Sequence, residues 1–247
     1  MSSNHTVLLL GATGRTGGRV LEQLLARGVR VRAVVRSAER LPAGVADDPN
    51  LAVTVADLLS LSDEDLRRQV EGCDAVISCL GHTIGLQGVF GSPRDLVTRA
   101  TTRLCRAITT LRPAHPVRLI LMSSVSVNRP RGLDVRRGSL EKAGLWMLRG
   151  LVPPARDNQR AADFLANDIG TADPFVQWAA VRPDTLREGD VTEYALHEGL
   201  VSSLVRPDET NMANVAHFMC ELATDLEAWA AWQGKSPVIV NARSALN

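Results

Sequence analysis

Lysine is almost missing from this chain. Its 247 residues hold only Lys142 and Lys235, and tyrosine occurs once, at Tyr194. Chemistry that needs a tyrosine and a lysine one helical turn apart therefore has nowhere to sit: Tyr194 is followed four residues later by Glu198, and no tyrosine lies four residues before either lysine. The cysteines Cys73, Cys79, Cys105 and Cys220 form no CxxC pair and show no metal-ligand spacing. No metal is expected, and a reduced, cytoplasmic setting is the simple reading. Charge is nearly balanced at +1, which argues against nucleic acid or an anionic membrane as the main partner. Apolar runs such as Val7–Leu10 and Leu119–Met122 fall far short of the roughly 20 residues that span a bilayer. The opening "MSSNHTVLLL" has no basic n-region and no long apolar stretch, so no signal peptide is expected.

What is present is a hydrophobic content of 45%, enough for a full core. Short leucine-rich or β-branched runs alternate with helical periodicity. Strands are expected at Thr6–Leu10, Arg30–Val35, Leu51–Val55, Ala75–Cys79, Val117–Met122 and Val176–Val181, with a last one over Pro237–Asn241. Helices are expected at Gly17–Arg27, Asp63–Val70, Arg94–Leu111, Asp157–Asp168 and Met212–Thr224. Such alternation implies an α/β, Rossmann-type, doubly wound parallel sheet covered on both faces. We read 1–247 as one domain, with 183–211 as a small substrate-side cap towards the C-terminus. The least regular segments are Gly81–Pro93, Val127–Pro154 and Pro183–Glu209. All follow predicted strands, where a doubly wound sheet forms its ligand crevice.

The stretch "TVLLLGATGRTGGRVLEQLLARGVRVRAVVR" carries the sharpest signal. Gly11, Gly14 and Gly17 are spaced GxxGxxG between a strand and a helix. Gly11 permits the tight turn, Gly14 lets backbone approach a pyrophosphate, and Gly17 lets the helix pack close to the sheet. The loop Gly11, Ala12, Thr13, Gly14, Arg15, Thr16, Gly17 then presents helix N–H groups to phosphate oxygens. Arg36 stands at the end of the second strand, where an acid would accept the ribose hydroxyls of NAD. Together with Arg15 it suits a 2′-phosphate, so NADP(H) is favoured over NAD(H). The bland alternative for Arg36 is a solvated surface charge.

With these residues in order, the chain resembles an atypical short-chain dehydrogenase/reductase. "GATGRTG" resembles the family's glycine loop. Asp57 and Leu58, in "VADLLSLSD", match the aspartate step after the third strand, which contacts the adenine amine. "VISCLGH", with Cys79, Leu80 and Gly81, resembles the segment beneath the nicotinamide ribose. "LILMSSVSV" matches the fifth strand and its serines. "VRPDTL", with Arg182 and Pro183, resembles the Arg-Pro step after the sixth strand, and "NMANVAHFM" the helix that closes the fold. The resemblance implies cofactor contacts at the glycine loop, Asp57, Leu58, Cys79, Leu80, Gly81, Arg182 and Pro183.

Ordinary members protonate a carbonyl oxygen with a Tyr-x-x-x-Lys pair. Here the corresponding helix reads "ARDNQRAADFLAND". Lines lacking the pair resemble NmrA-like redox sensors and flavin or biliverdin reductases, and "RDNQRAADFL" looks most like the latter. A flavin-like or other conjugated acceptor needs no protein acid, because its reduced product takes a proton from solvent. The expected activity is therefore an NADPH-dependent reductase. Alternatives are a non-catalytic NADP(H)-sensing regulator and a redox-neutral isomerase or epimerase with bound cofactor. Ser123 and Ser124 would orient the carboxamide or acceptor, or simply cap a strand end. His82 would donate a proton or contact phosphate, or be a surface histidine. Cys79 reads as core rather than reactive. Arg129, Arg131, Arg136 and Arg137 would attract an anionic small-molecule substrate if their loop covers the pocket; otherwise they are solvated. Asp157 reads as an acidic first-turn residue stabilising its own helix. The tryptophans Trp146, Trp178, Trp229 and Trp232 read as packing residues. Monomer and homodimer remain open.

Overall fold

The computed structural model describes residues 5–81, 94–129, 134, 153–203 and 206–242. Strands β1 (Thr6–Leu10), β2 (Arg30–Val35), β3 (Leu51–Val55), β4 (Ala75–Ser78), β5 (Val117–Met122) and β6 (Val176–Pro183) lie parallel in the order β3-β2-β1-β4-β5-β6. The sheet continues through β10 (Val238–Asn241), parallel to β6, and ends on β8 (Tyr194–His197), antiparallel to β10. Two further strands, β7 (Thr185–Arg187) and β9 (Glu209–Asn211), pair with each other apart from this sheet.

Helices cover both faces. Helix α1 (Arg15–Ala26) packs against α5 (Met212–Thr224) on one side, with Trp229 of α6 (Leu226–Trp232) in the same core. On the other side α2 (Asp63–Val70), α3 (Leu96–Leu111) and α4 (Pro153–Phe164) share a second core with the opposite faces of the strands. The central strands are apolar on both faces because both are covered: Val7 to Leu9 are wholly buried, and all four residues of β4 are inside. The edge strand β3 is mostly exposed.

Several boundaries differ from the sequence reading, most by one or two residues. Helix α1 begins at Arg15, two residues before the expected start, because Gly14 itself takes the cap position. Helix α4 begins at Pro153 rather than Asp157 and gives way to a wider turn over Leu165–Ile169; proline is at home in a first helical turn. The segment read as an irregular cap contains β7, β8 and β9, and α6 was not expected.

Among the described residues no helix is long and apolar enough to cross a membrane, and no cluster of potential metal ligands occurs.

Candidate functional site

The parallel register places the ends of β1, β2, β3, β4, β5 and β6 along one sheet edge. Gly11, Arg36, Asp57, Cys79 to Gly81, Ser123 and Pro183 therefore gather there. The strand order reverses between β1 and β4, the topological point at which doubly wound sheets bind ligands. At that point Gly11 turns with φ +80°, and a Cβ on it would lie 2.6 Å from the Cys79 carbonyl oxygen. A Cβ on Gly17 would lie 2.1 Å from the Gly11 oxygen. These two glycines let β1, the end of β4 and the first turn of α1 touch.

Gly14 behaves differently. A Cβ there would meet only the Gly11 oxygen, at 3.2 Å, and otherwise open space. No side chain caps α1, so its first N–H groups are open to an incoming anion. A cleft of about 640 Å³ borders this loop, lined by Thr13, Gly14, Arg15, Arg19, Arg40, Asp190 and their neighbours. Ala12 and Thr16 are buried behind the loop. A bare glycine surface, uncapped amides and flanking guanidinium groups are the donor set a dinucleotide's diphosphate needs.

Arg36 is exposed and has no hydrogen-bond or ion-pair partner among the described residues. Arg15 is not idle: its Nε and Nη2 donate to Glu188 Oε1 at 3.0 and 2.7 Å. Arg19, one turn further, donates to Glu188 Oε2, and its Nη1 donates to the Arg15 carbonyl at 2.7 Å. Neither Glu188 nor Arg19 was singled out from sequence. Arg19 could have been, since it repeats Arg15 at i+4. Glu188 could not, as 173 positions separate it from Arg15.

Asp57 is exposed, with Oδ1 accepting from the Leu59 N–H at 2.9 Å. Leu58 is a core side chain, and its carbonyl accepts from Arg103 Nη1 at 2.9 Å. Cys79 is likewise core: burial pushes its thiol well above the ordinary range, while its carbonyl faces Gly11 and its Cβ faces Gly17 across the crossover. Leu80 is half-buried and Gly81 exposed. Ser123 is buried, and its hydroxyl has no hydrogen-bond partner among the described residues. Such an orphan at a strand end, on the ligand edge, fits an amide or carbonyl of a bound nicotinamide. Ser124 Oγ accepts from the Ser126 N–H at 3.2 Å and so shapes the turn after β5.

Arg182 corrects the expectation of a cofactor contact through its side chain. It is 0% exposed, and all five of its N–H donors are engaged within the protein. Nε donates to the Ser236 carbonyl, Nη1 to the Val127 carbonyl and Asp134 Oδ2, and Nη2 to Asp134 Oδ1 and the Glu198 carbonyl. Asp134 also accepts from the Arg129 N–H at 2.7 Å and from its Nε at 3.1 Å. Burial opposes the Asp134 charge, but Arg182 and the Arg129 contacts outweigh it and hold the carboxyl below its ordinary pKa. Arg182 is thus a tie between the loop after β5 and the β8–β10 edge. Pro183 is buried beside it, its carbonyl accepting from the Val125 N–H.

Asp157 also departs from expectation. Lying inside α4 rather than at its start, it caps α3: it accepts from the N–H groups of Val97 and Thr98 at 2.8 and 3.0 Å and from Thr98 Oγ1 at 2.6 Å. Two residues on, Gln159 makes a reciprocal pair with the backbone of Asn128, accepting its N–H at 2.8 Å and donating to its carbonyl at 3.0 Å. The helix where a Tyr-Lys pair would stand is used to tether two neighbouring segments. The lone tyrosine is engaged elsewhere, Tyr194 Oη lying 2.9 Å from His217 Nδ1. Trp178 and Trp229 are buried packing residues, and Trp232 packs on Phe218. His82, Arg131, Arg136, Arg137 and Trp146 lie outside the described residues.

Comparison with known proteins agrees with this geometry. A family model described as NAD(P)H-binding matches residues 11–226. A chloroplastic protein of Arabidopsis thaliana is 34% identical over 122 residues, 49% of this chain and 42% of its own length. The chain spans less than half the length of the curated relatives it matches. Among solved structures, a short-chain dehydrogenase/reductase from Veillonella parvula in complex with NADP superposes with a TM-score of 0.67 at 13% identity, covering 96% of this chain and 94% of that one. A protein from Streptococcus pneumoniae, provisionally named an NADH-flavin reductase, superposes at 0.65 with 18% identity, covering 96% and 100%. At these identities the likeness is one of fold.

Proposed function

The chain belongs to the NAD(P)H-binding family, and we propose that within it this protein is an NADPH-dependent oxidoreductase. It passes hydride to a flavin-like or other small conjugated acceptor without a Tyr-Lys pair. The observation that carries the reading is the combination at one sheet edge: a glycine-lined, uncapped helix start, an exposed Arg36, and the buried Ser123 hydroxyl, the last two without a partner among the described residues.

Gly14 and the first amides of α1 would hold the diphosphate, Arg36 and Arg15 the 2′-phosphate, and Ser123 the carboxamide. When bound, the nicotinamide supplies the hydride. The protein's part is to bind, orient and exclude water. No side chain among the described residues stands ready as the acid that a simple carbonyl would need. An acceptor that takes its proton from solvent removes that need. Residence in the cytoplasm, and a monomeric or homodimeric state, belong to the same proposal.

The test is consumption of NADPH, followed near 340 nm, with riboflavin phosphate and a panel of quinones and enones. Turnover with any conjugated acceptor supports the reading. Tight NADPH binding with no turnover across the panel overturns it in favour of a nucleotide-sensing regulator. Cofactor that survives gel filtration and cycles without net oxidation points instead to an isomerase or epimerase.

A further inference from the structure

We infer that Glu188 is a specificity-determining residue, an internal carboxylate that competes with the cofactor's 2′-phosphate for Arg15 and so sets how strongly NADPH is preferred. The inference rests on the NADPH reading above and adds a residue to it.

The geometry is that of a phosphate surrogate. One Glu188 oxygen takes two adjacent donors of Arg15, Nε and Nη2, the edge of the guanidinium that matches a planar or tetrahedral oxyanion. Its other oxygen takes Arg19. Arg19 in turn donates to the Arg15 carbonyl, which holds the two arginines as one unit. A 2′-phosphate held by Arg15 needs the same edge of its guanidinium. It must displace Glu188 or accept a carboxylate as its neighbour, and both outcomes weaken a dianion more than a bare ribose hydroxyl.

The loop that presents Glu188 is built rather than incidental. Gly189, next in the chain, adopts φ +154°, and a Cβ on it would lie 2.7 Å from Asn211 Nδ2. Asn211 Nδ2 donates to the Asp190 carbonyl at 3.1 Å, while the Asn211 N–H donates to Asn241 Oδ1 at 2.9 Å. Glu188 is thereby anchored to β10 through two asparagines. Its side chain is itself 59% exposed. Removing its charge therefore leaves the core untouched, and the substitution reads out binding alone.

The experiment is titration of wild type, Glu188→Gln, Arg15→Ala and the double variant with NADPH, NADH and 2′,5′-ADP at low and high salt. In Glu188→Gln, NADPH and 2′,5′-ADP should bind about fivefold tighter at low salt, roughly 1 kcal/mol. NADH should change by less than about twofold, and the gain should shrink at high salt. In the Arg15→Ala background the same substitution should give no gain. Equal gains for NADPH and NADH would mean that the loop merely blocks the cleft, and the inference fails. Unchanged or weakened NADPH binding overturns it too, since Glu188 would then be positioning the arginines. If wild type prefers NADPH and Glu188→Gln leaves that preference as it was, only the role of Glu188 falls. If no variant distinguishes NADPH from NADH, the NADPH reading falls with it.

Discussion

Asp134→Asn should be among the most damaging conservative substitutions in this protein while leaving nucleotide binding alone. Among the described residues the Asp134 carboxylate is the one anion paired with the fully buried Arg182, and it also receives Arg129. Removing one charge from such a pair costs about 3–5 kcal/mol, because the other remains buried without compensation. Three backbone carbonyls, of Ser236, Val127 and Glu198, still accept from Arg182. The loss should therefore fall at the lower end, about 3 kcal/mol. For a domain of this size that is a fall in Tm of roughly 6–12 °C. Replacing both members with apolar residues, Asp134→Leu with Arg182→Met, should recover much of it, since no charge is then stranded. The pH dependence has a definite sign. Asp134 titrates lower in the folded protein than its ordinary value, so its contribution is complete above the unfolded carboxylate range and is lost as pH falls through the depressed native value. The gap between wild type and Asp134→Asn, measured by thermal denaturation, should be full at pH 7 and start to narrow only below about pH 4, as pH falls towards the depressed native value. The Kd for NADPH at pH 7 should move by less than about twofold. A variant as stable as wild type would refute the account of Arg182 as a saturated tie. A large loss of NADPH affinity in a folded variant would return Arg182 to the cofactor.

The two glycines of the loop should separate stability from binding. Gly17→Ala puts a Cβ 2.1 Å from the Gly11 oxygen and should cost about 1–3 kcal/mol by thermal or denaturant unfolding. Gly14→Ala meets only the Gly11 oxygen, at 3.2 Å, which a shift of a few tenths of an ångström relieves, so its Tm should fall less than that of Gly17→Ala while its NADPH affinity falls at least about tenfold, roughly 1.4 kcal/mol. Arg36→Ala should remove most of an at least about tenfold preference for NADPH over NADH in fluorescence titration, and equal wild-type affinities would refute the assignment. The buried cysteines, with the Cys73 thiol pushed up to about 11 and those of Cys105 and Cys220 to about 12 by desolvation, should resist a thiol reagent at pH 8 until denaturant is added. Rapid labelling of the native protein would contradict that packing.

The parts of the fold that sequence reveals are those with local causes. β1, β2, β3, α2, β5 and α5 have the expected boundaries because each is a strongly periodic run flanked by its own stop or cap. Ser62, for example, caps α2 by accepting from the Asp65 N–H. β7 and β9 are three residues each and exist because Thr185 to Arg187 meet Glu209 to Asn211 across the chain, which no window of sequence contains. The site divides in the same way. The glycine loop is a local motif, and it stands where its spacing puts it. Arg182 belongs to a local motif too, yet its role depends on Val127, Asp134, Glu198 and Ser236, four distant positions that converge on one guanidinium.

Helix α4 ties two neighbouring segments of the fold together. In ordinary short-chain dehydrogenases the equivalent helix supplies the proton donor. Here Asp157 holds the N-terminus of α3 and Gln159 holds Asn128 after β5. Both segments border the ligand edge of the sheet. The helix therefore helps to fix the shape of the crevice, and its Asp157 and Gln159 are spent on these tethers. The lone tyrosine cannot substitute, since its hydroxyl is engaged by His217 on α5 and burial pushes its pKa upward, further from general-acid service near neutrality. On the function proposed above, the described part of the crevice supplies orientation and water exclusion, and an acceptor that takes its proton from solvent asks no more of it.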